Sequence, residues 1–198
     1  MGIKFGNPNL DVIAFSGDGD TYSEGMEHFI HACQTNPNIT LIVNDNQSFS
    51  LTTGQATPTS QSSFKNRTEP LGNSRPLNPI RLALAAGASF VARCNAMDIV
   101  GTQNIIVAAI KHEGFAFVEV IQDCLVFNAE SNHRDGRMYR ITPKKLPQAR
   151  ILAEEYDYEI GSGKIPIGIF YQEKRGTLES RWPQLVKKRQ KRSWKGMR

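Results

Sequence analysis

The chain has 198 residues, 39% of them hydrophobic and 22% charged, a balance that suits one domain with a buried core and excludes wholesale disorder. Its formal charge of +5 is uneven: residues 173–198 hold ten Lys and Arg against two acids, leaving fourteen bases and seventeen acids in the first 172. No run of about 18 apolar residues offers a membrane span, and the start from Met1 to Pro8 lacks the apolar centre of a secretory signal, so the chain reads as cytoplasmic, with no membrane partner.

Asp11 to Phe15 is an apolar run that predicts a buried strand, and it stops at Ser16-Gly-Asp-Gly-Asp20, a loop whose glycines suggest unusual backbone angles. From Tyr22 to about Gln34, the residues Met26, Phe29, Ile30 and Cys33 recur at spacings of three and four, one stripe of a helix. Asn36-Pro37-Asn38 signals a turn and Ile39 to Val43 a second strand, which completes a βαβ crossover with parallel strands. Asn44 to Leu77 is dominated by Ser, Thr, Gln, Asn, Gly and Pro, and a loop of that length is either functional or poorly ordered. Asn78-Pro79 then opens a helix that runs from Ile80 to Ala86 and stops at Gly87. Ser89 to Arg93 reads as a strand, Gln103 to His112 as a helix stopped by Gly114, and Phe115 to Ile121 as a buried strand. Ala129 to Arg140 is polar and predicts a surface excursion, and Ile165 to Tyr171 a last strand. The alternation predicts an α/β fold with a mostly parallel sheet flanked by helices over residues 1–172, followed by a basic tail over 173–198.

The feature that carries chemistry is Gly17-Asp18-Gly19-Asp20 paired with Asn44-Asp45-Asn46, because the inferred crossover brings both to neighbouring strand ends. Parallel sheets bind ligands beyond the carboxyl ends of their strands, where glycine lets backbone amides approach a phosphate and a helix start favours its charge. Gly17, Gly19 and a helix start at Asp20 therefore suit a diphosphate. The Asp18 carboxylate would repel that anion unless a cation stood between them. Magnesium resolves the conflict, since its octahedral oxygen shell is met by Asp18, the Asn46 side-chain oxygen, a backbone carbonyl such as that of Ser48, and two diphosphate oxygens.

Other residues carry plainer readings. His28 and His31 are packing or interface histidines, since no third ligand accompanies them. Cys33 and Cys94 are small core residues. Glu24 and Glu27 suit the first turns of a helix without any catalytic part. The run Lys187 to Arg192 is read as a solvated extension in preference to a nucleic-acid contact.

Six words of the sequence resemble the β subunits of 2-oxoacid:ferredoxin oxidoreductases: Ser16-Gly-Asp-Gly-Asp20, His28-Phe-Ile-His-Ala32, Leu51-Thr-Thr-Gly-Gln-Ala56, Pro58-Thr59, Gly114-Phe-Ala-Phe-Val118 and Ile165-Pro-Ile-Gly-Ile-Phe-Tyr-Gln172. The spacing from Gly-Asp-Gly to Asn46 is similar to the signature of thiamine-diphosphate enzymes. This resemblance implies a thiamine-diphosphate-binding fold and oxidative decarboxylation of a 2-oxo acid, the acyl group leaving on coenzyme A and electrons passing to ferredoxin. It implies magnesium on Asp18, Asn46 and Ser48, and diphosphate at Gly17, Asp18, Gly19 and Asp20. Ser48, Phe49, Leu51 and Thr52 would run beside the cofactor. The glutamate that activates the aminopyrimidine is expected from a partner chain, an α subunit, with a ferredoxin-like subunit as a further partner, so the chain alone is not expected to be active.

Two departures qualify what the resemblance implies. The Cys-Pro-x-Cys segment and the further cysteine that precede the first strand in the family are missing, and Cys124, which matches the remaining iron–sulfur cysteine, is one thiolate where four ligands are needed. A cluster would need ligands from another chain. Thr53 stands where the family often has Lys near the substrate carboxylate, so 2-oxoglutarate is not singled out. The alternative reading is a noncatalytic fragment or interaction module that keeps the cofactor-binding fold.

Overall fold

The structure, a computed structural model, describes residues 1–132 and 134–186, so the run Lys187 to Arg192 lies outside the described residues. A short helix, α1 (Gly2–Gly6), leads into β1 (Val12–Gly17), a π-helical turn (Asp20–Glu24), α2 (Met26–Thr35) and β2 (Ile39–Asp45). After the long connection come α3 (Pro79–Ala86), β3 (Phe90–Asn95), α4 (Ile99–Lys111) and β4 (Ala116–Ile121). The chain then forms β5 (Met138–Ile141), α5 (Leu146–Ala153), a small ladder of β6 (Tyr156–Asp157) with β7 (Ser162–Gly163), and β8 (Ile165–Gln172). The main sheet has the order β1-β2-β4-β3-β8-β5; only the β3–β8 pairing is antiparallel.

Alternation along the strands splits the core into two layers. Val43, Val91 and Phe117 pack with Phe29, Cys33, Ile80, Leu84 and Phe170 under α2, α3 and α5, while Ile42, Ala92, Cys94 and Val118 pack with Ala109 of α4 on the other face. Helix boundaries follow local chemistry. Asn78 accepts from the Arg81 N–H at 3.0 Å, Pro79 fills the first turn, and Gly87 closes α3 at φ 83°. Asn36 ends α2 at φ 60°, and its buried side chain ties three segments together: Oδ1 accepts from Ser89 and the Phe115 N–H, while Nδ2 donates to the carbonyls of Arg175 and Gly176.

The structure corrects several expectations. β1 is an edge strand with Ile13 and Phe15 40% and 69% exposed, because a short apolar run does not distinguish an edge strand from a central one. The helix expected from Tyr22 is a π turn followed by α2, and Ile30 leaves the buried stripe. The segment expected as a surface excursion, Ala129 to Arg140, enters β5 and buries Ser131 and Arg134. The long connection after β2 is pinned throughout: Ser62 N–H donates to the Glu159 carbonyl and Leu77 N–H to that of Pro58, and Asn73 Nδ2 donates to the Ser60 carbonyl.

Candidate functional site

β1 and β2 run parallel with Gly17 beside Asn44, so Asp18 and Asp45 emerge together at the carboxyl ends of the two strands. Both are buried. The loop Thr57–Ser60 folds over them: the Thr57 hydroxyl donates to Asp18 Oδ2 at 2.5 Å, and the Thr59 hydroxyl lies 2.8 Å from that oxygen and 2.9 Å from Asp45 Oδ1. Burial pushes the Asp18 carboxyl up against the hydroxyls of Thr57 and Thr59, which pull it down. Burial raises Asp45 well above the carboxylate range, with the charges of Asp18 and Glu119 adding to it. Two carboxyls in one dry place disfavour two negative charges unless a cation joins them.

Neither Gly17 nor Gly19 has a positive φ, against the expectation from the sequence, and only Gly19 is required for space. Gly19 sits at φ −59°, an ordinary helical angle, but a Cβ there would run into the Phe49 ring. Gly17 offers its N–H to Asp20 Oδ2 at 3.3 Å. On the β2 side, Asn46 Oδ1 accepts from the Ser48 N–H at 3.0 Å and its Nδ2 donates to Ser50 Oγ at 3.2 Å, which orients the amide. Gln47, fully buried at φ 57°, has no partner for its side-chain amide among the described residues; neither do Asp45 Oδ2 and Thr21 Oγ1. Such a concentration of buried polar atoms without partners is costly in a closed protein.

Phe49 to Gln55 closes into a small loop, with Phe49 N–H on the Gln55 carbonyl and Gly54 N–H on that of Phe49. Within it Thr53 holds φ 76°, a strained value for a β-branched residue. Leu51 is 98% exposed and Thr52 also faces out, its hydroxyl donating to Gln55 Oε1. Cys124 lies at the end of the segment after β4, with the Phe127 N–H 3.4 Å from its sulfur. Burial pushes its thiol up, yet the N–H groups of Phe127, Val126 and Asn128 together bring it below the usual thiol range. Cys33 and Cys94 are buried core residues whose thiols burial pushes up to about 12. His28 and His31 are exposed on α2. Two cavities lie elsewhere: one of about 560 Å³ is lined by Arg75, Arg81, Glu154 and Tyr158, and one of about 580 Å³ by Lys144, Lys145 and Gln148.

Sequence reasoning named the pair Asp18 and Asn46, quoted Asp45 and Thr59 only as parts of motifs without a role, and missed Thr57. Their positions depend on the fold of the long connection, for which the sequence has no periodic signal. Among the described residues no three His, Cys, Asp or Glu side chains converge as a metal site.

Comparison gives the class that this fold belongs to: the chain is one of the thiamine pyrophosphate enzymes, with residues 1–120 matching their C-terminal TPP binding domain. Within that family its relatives are β subunits of 2-oxoacid:ferredoxin oxidoreductases. That of Saccharolobus solfataricus is 37% identical over 186 residues, covering 87% of this chain and 61% of its own. The 2-oxoglutarate synthase subunit KorB of Archaeoglobus fulgidus is 44% identical over 124 residues, or 62% of this chain and 46% of its own. A solved 2-oxoglutarate:ferredoxin oxidoreductase from Magnetococcus marinus, with 2-oxoglutarate, coenzyme A and succinyl-CoA bound, matches at TM-score 0.86 and 30% identity, over 96% of this chain and 66% of that one. The chain thus spans less than two thirds of the length of these relatives. Among the described residues no helix is long and apolar enough to cross a membrane.

Proposed function

We propose that the chain is the cofactor-binding β subunit of a 2-oxoacid:ferredoxin oxidoreductase, holding thiamine diphosphate through magnesium at the ends of β1 and β2. The observation that carries this reading is the tethering of Asp18 and Asp45 through one hydroxyl at those ends, beside an oriented Asn46. The residues fit the group: carboxylate, amide and carbonyl oxygens are the donors that magnesium prefers, and buried polar atoms of Thr21, Asp45 and Gln47 on the same segments lack partners among the described residues.

Asp18, Asn46 and the Ser48 carbonyl would hold the metal. When bound, thiamine diphosphate supplies the nucleophilic carbon and the electron sink for decarboxylating a 2-oxo acid. Gly19 keeps the first turn in contact with Phe49, and the Gly17 N–H, now spent on Asp20, becomes available to a diphosphate if that carboxylate turns outward. Leu51, Leu125 and Val126 are 98%, 87% and 76% exposed, an apolar rim suited to a partner subunit that would supply the activating glutamate and exclude water. As in the named relatives, the assembled enzyme would pass electrons to ferredoxin, and coenzyme A would take the acyl group. Cys124, whose thiol the backbone N–H groups around it hold below the usual thiol range, would be the residue this chain offers to an iron–sulfur cluster whose other ligands came from another chain.

Titration calorimetry with thiamine diphosphate and Mg²⁺ tests the reading. Wild type is expected to release heat and saturate, and Asp18→Ala to give none; equal heats from both would remove Asp18 from the metal.

A further inference from the structure

We propose, building on the cofactor reading above, that Thr57 and Thr59 are positioning residues whose hydroxyls clamp Oδ2 of Asp18, so that its other oxygen is the one presented to the metal. A carboxylate with one free rotation can offer either oxygen, and a metal site gains from a second set of bonds that fixes the choice. Here Oδ2 has hydroxyls 2.5 and 2.8 Å away, both from buried threonines. Neither hydroxyl is a local turn contact, since the threonines lie 39 and 41 residues along the chain from Asp18.

The clamp is anchored to the segment just after β2. Thr57 N–H donates to Ser60 Oγ at 2.8 Å, and the Ser60 hydroxyl donates to the Gln47 carbonyl at 2.7 Å. Asn73 Nδ2 holds the Ser60 carbonyl at 2.9 Å from outside. The two hydroxyls therefore sit on a frame fixed just after one strand while they grip a carboxylate that follows the other. Thr59, 2.9 Å from Asp45 Oδ1 as well, sets the spacing of the two strand ends.

The test uses the full 198-residue chain with thiamine diphosphate, and Mn²⁺ as a paramagnetic probe whose free fraction is read by electron paramagnetic resonance. Thr59→Val and Thr57→Val are expected to weaken Mn²⁺ binding by about tenfold or more, the usual effect of losing an outer-shell partner, and Thr59→Ser to restore it. A purely structural part would not be rescued by serine, which lacks the packing methyl, so weak binding in Thr59→Ser overturns the proposal, as does wild-type affinity in both valine variants. If circular dichroism shows that Thr59→Val has not folded, Thr57→Val decides. Failure of wild type itself to bind Mn²⁺ is a different result: it overturns the cofactor reading, and this inference with it.

Discussion

Glu119 and Asp45 point to the same face of the sheet from neighbouring strands, yet the buried charges around them are arranged in opposite ways. Around Glu119 the charges are opposite and paired, although Arg93 Nη1 has no partner among the described residues. Arg93 Nε donates to its Oε2 at 2.6 Å, the Tyr158 hydroxyl donates to Oε1 at 2.6 Å, and Arg93 Nη2 donates to Tyr158 at 3.1 Å. Burial works against the guanidinium charge, and Glu119 more than offsets it, while the rings of Phe170, Tyr156 and Tyr158 stand 5.4, 5.7 and 5.8 Å from its centre. At the strand ends the set is open: two carboxyls of like sign share one hydroxyl, and Asp45 Oδ2 has no partner among the described residues. A pair of opposite charges holds the sheet together. Two acids in one buried place, which disfavour a second negative charge, are a place for a cation.

The sharpest way to break this contrast is Glu119→Gln. It keeps the shape but leaves the Arg93 charge buried without its counter-ion, and is expected to cost about 3–5 kcal/mol in urea unfolding. Tyr158→Phe removes only the bridging hydroxyl and is expected to cost about 1–3 kcal/mol. Losses below 1 kcal/mol in both variants would mean that the network has no structural part.

Asp45→Asn probes the open set and should behave in the opposite manner. The amide oxygen still accepts from the Gln47 N–H and faces Thr59, while a like charge beside Asp18 is gone. Free of cofactor, the variant is expected to match wild type or exceed it by up to about 1 kcal/mol in the same urea assay. A loss as large as that of Glu119→Gln would make Asp45 a structural residue.

What was legible in the sequence divides along the same line. Elements with a strong period or cap were readable: Asn78, Pro79 and Gly87 delimit α3, and the buried strands β2 and β4 stand out as apolar runs. Gly17 to Asp20 was readable as a turn with chemistry, though the reason for Gly19 is the Phe49 ring, which approaches from a distant loop. β5 and α5 passed unnoticed because Met138–Ile141 contains no buried residue and α5 has only Ala149 and Ala153 inside, so neither presents an apolar stripe. Thr57 and Thr59 look like any polar loop residues until the connection folds. Hydrophobic period records burial; a polar contact made across 40 or so residues of irregular chain leaves no period to read.

The smallest expected effect lies at the other end of the sheet, where a single titrating group is kept neutral instead of paired. His112 Nε2 is 2.8 Å from Ser89 Oγ, which itself donates to Asn36 Oδ1 at 2.6 Å. Burial lowers the His112 pKa from its ordinary 6.5, and Glu113 and Glu173 only partly oppose the shift. As pH falls through 6.5 the unfolded chain therefore takes up a proton before the native one does, and stability declines with falling pH until the folded imidazole also titrates. Urea midpoints measured from neutral pH downward are expected to fall in wild type and to fall less steeply in His112→Gln, with both effects well below that of Glu119→Gln. Parallel curves for the two proteins would show that His112 titrates alike in the folded and unfolded chain, and that keeping this charge out of the core contributes nothing to the fold.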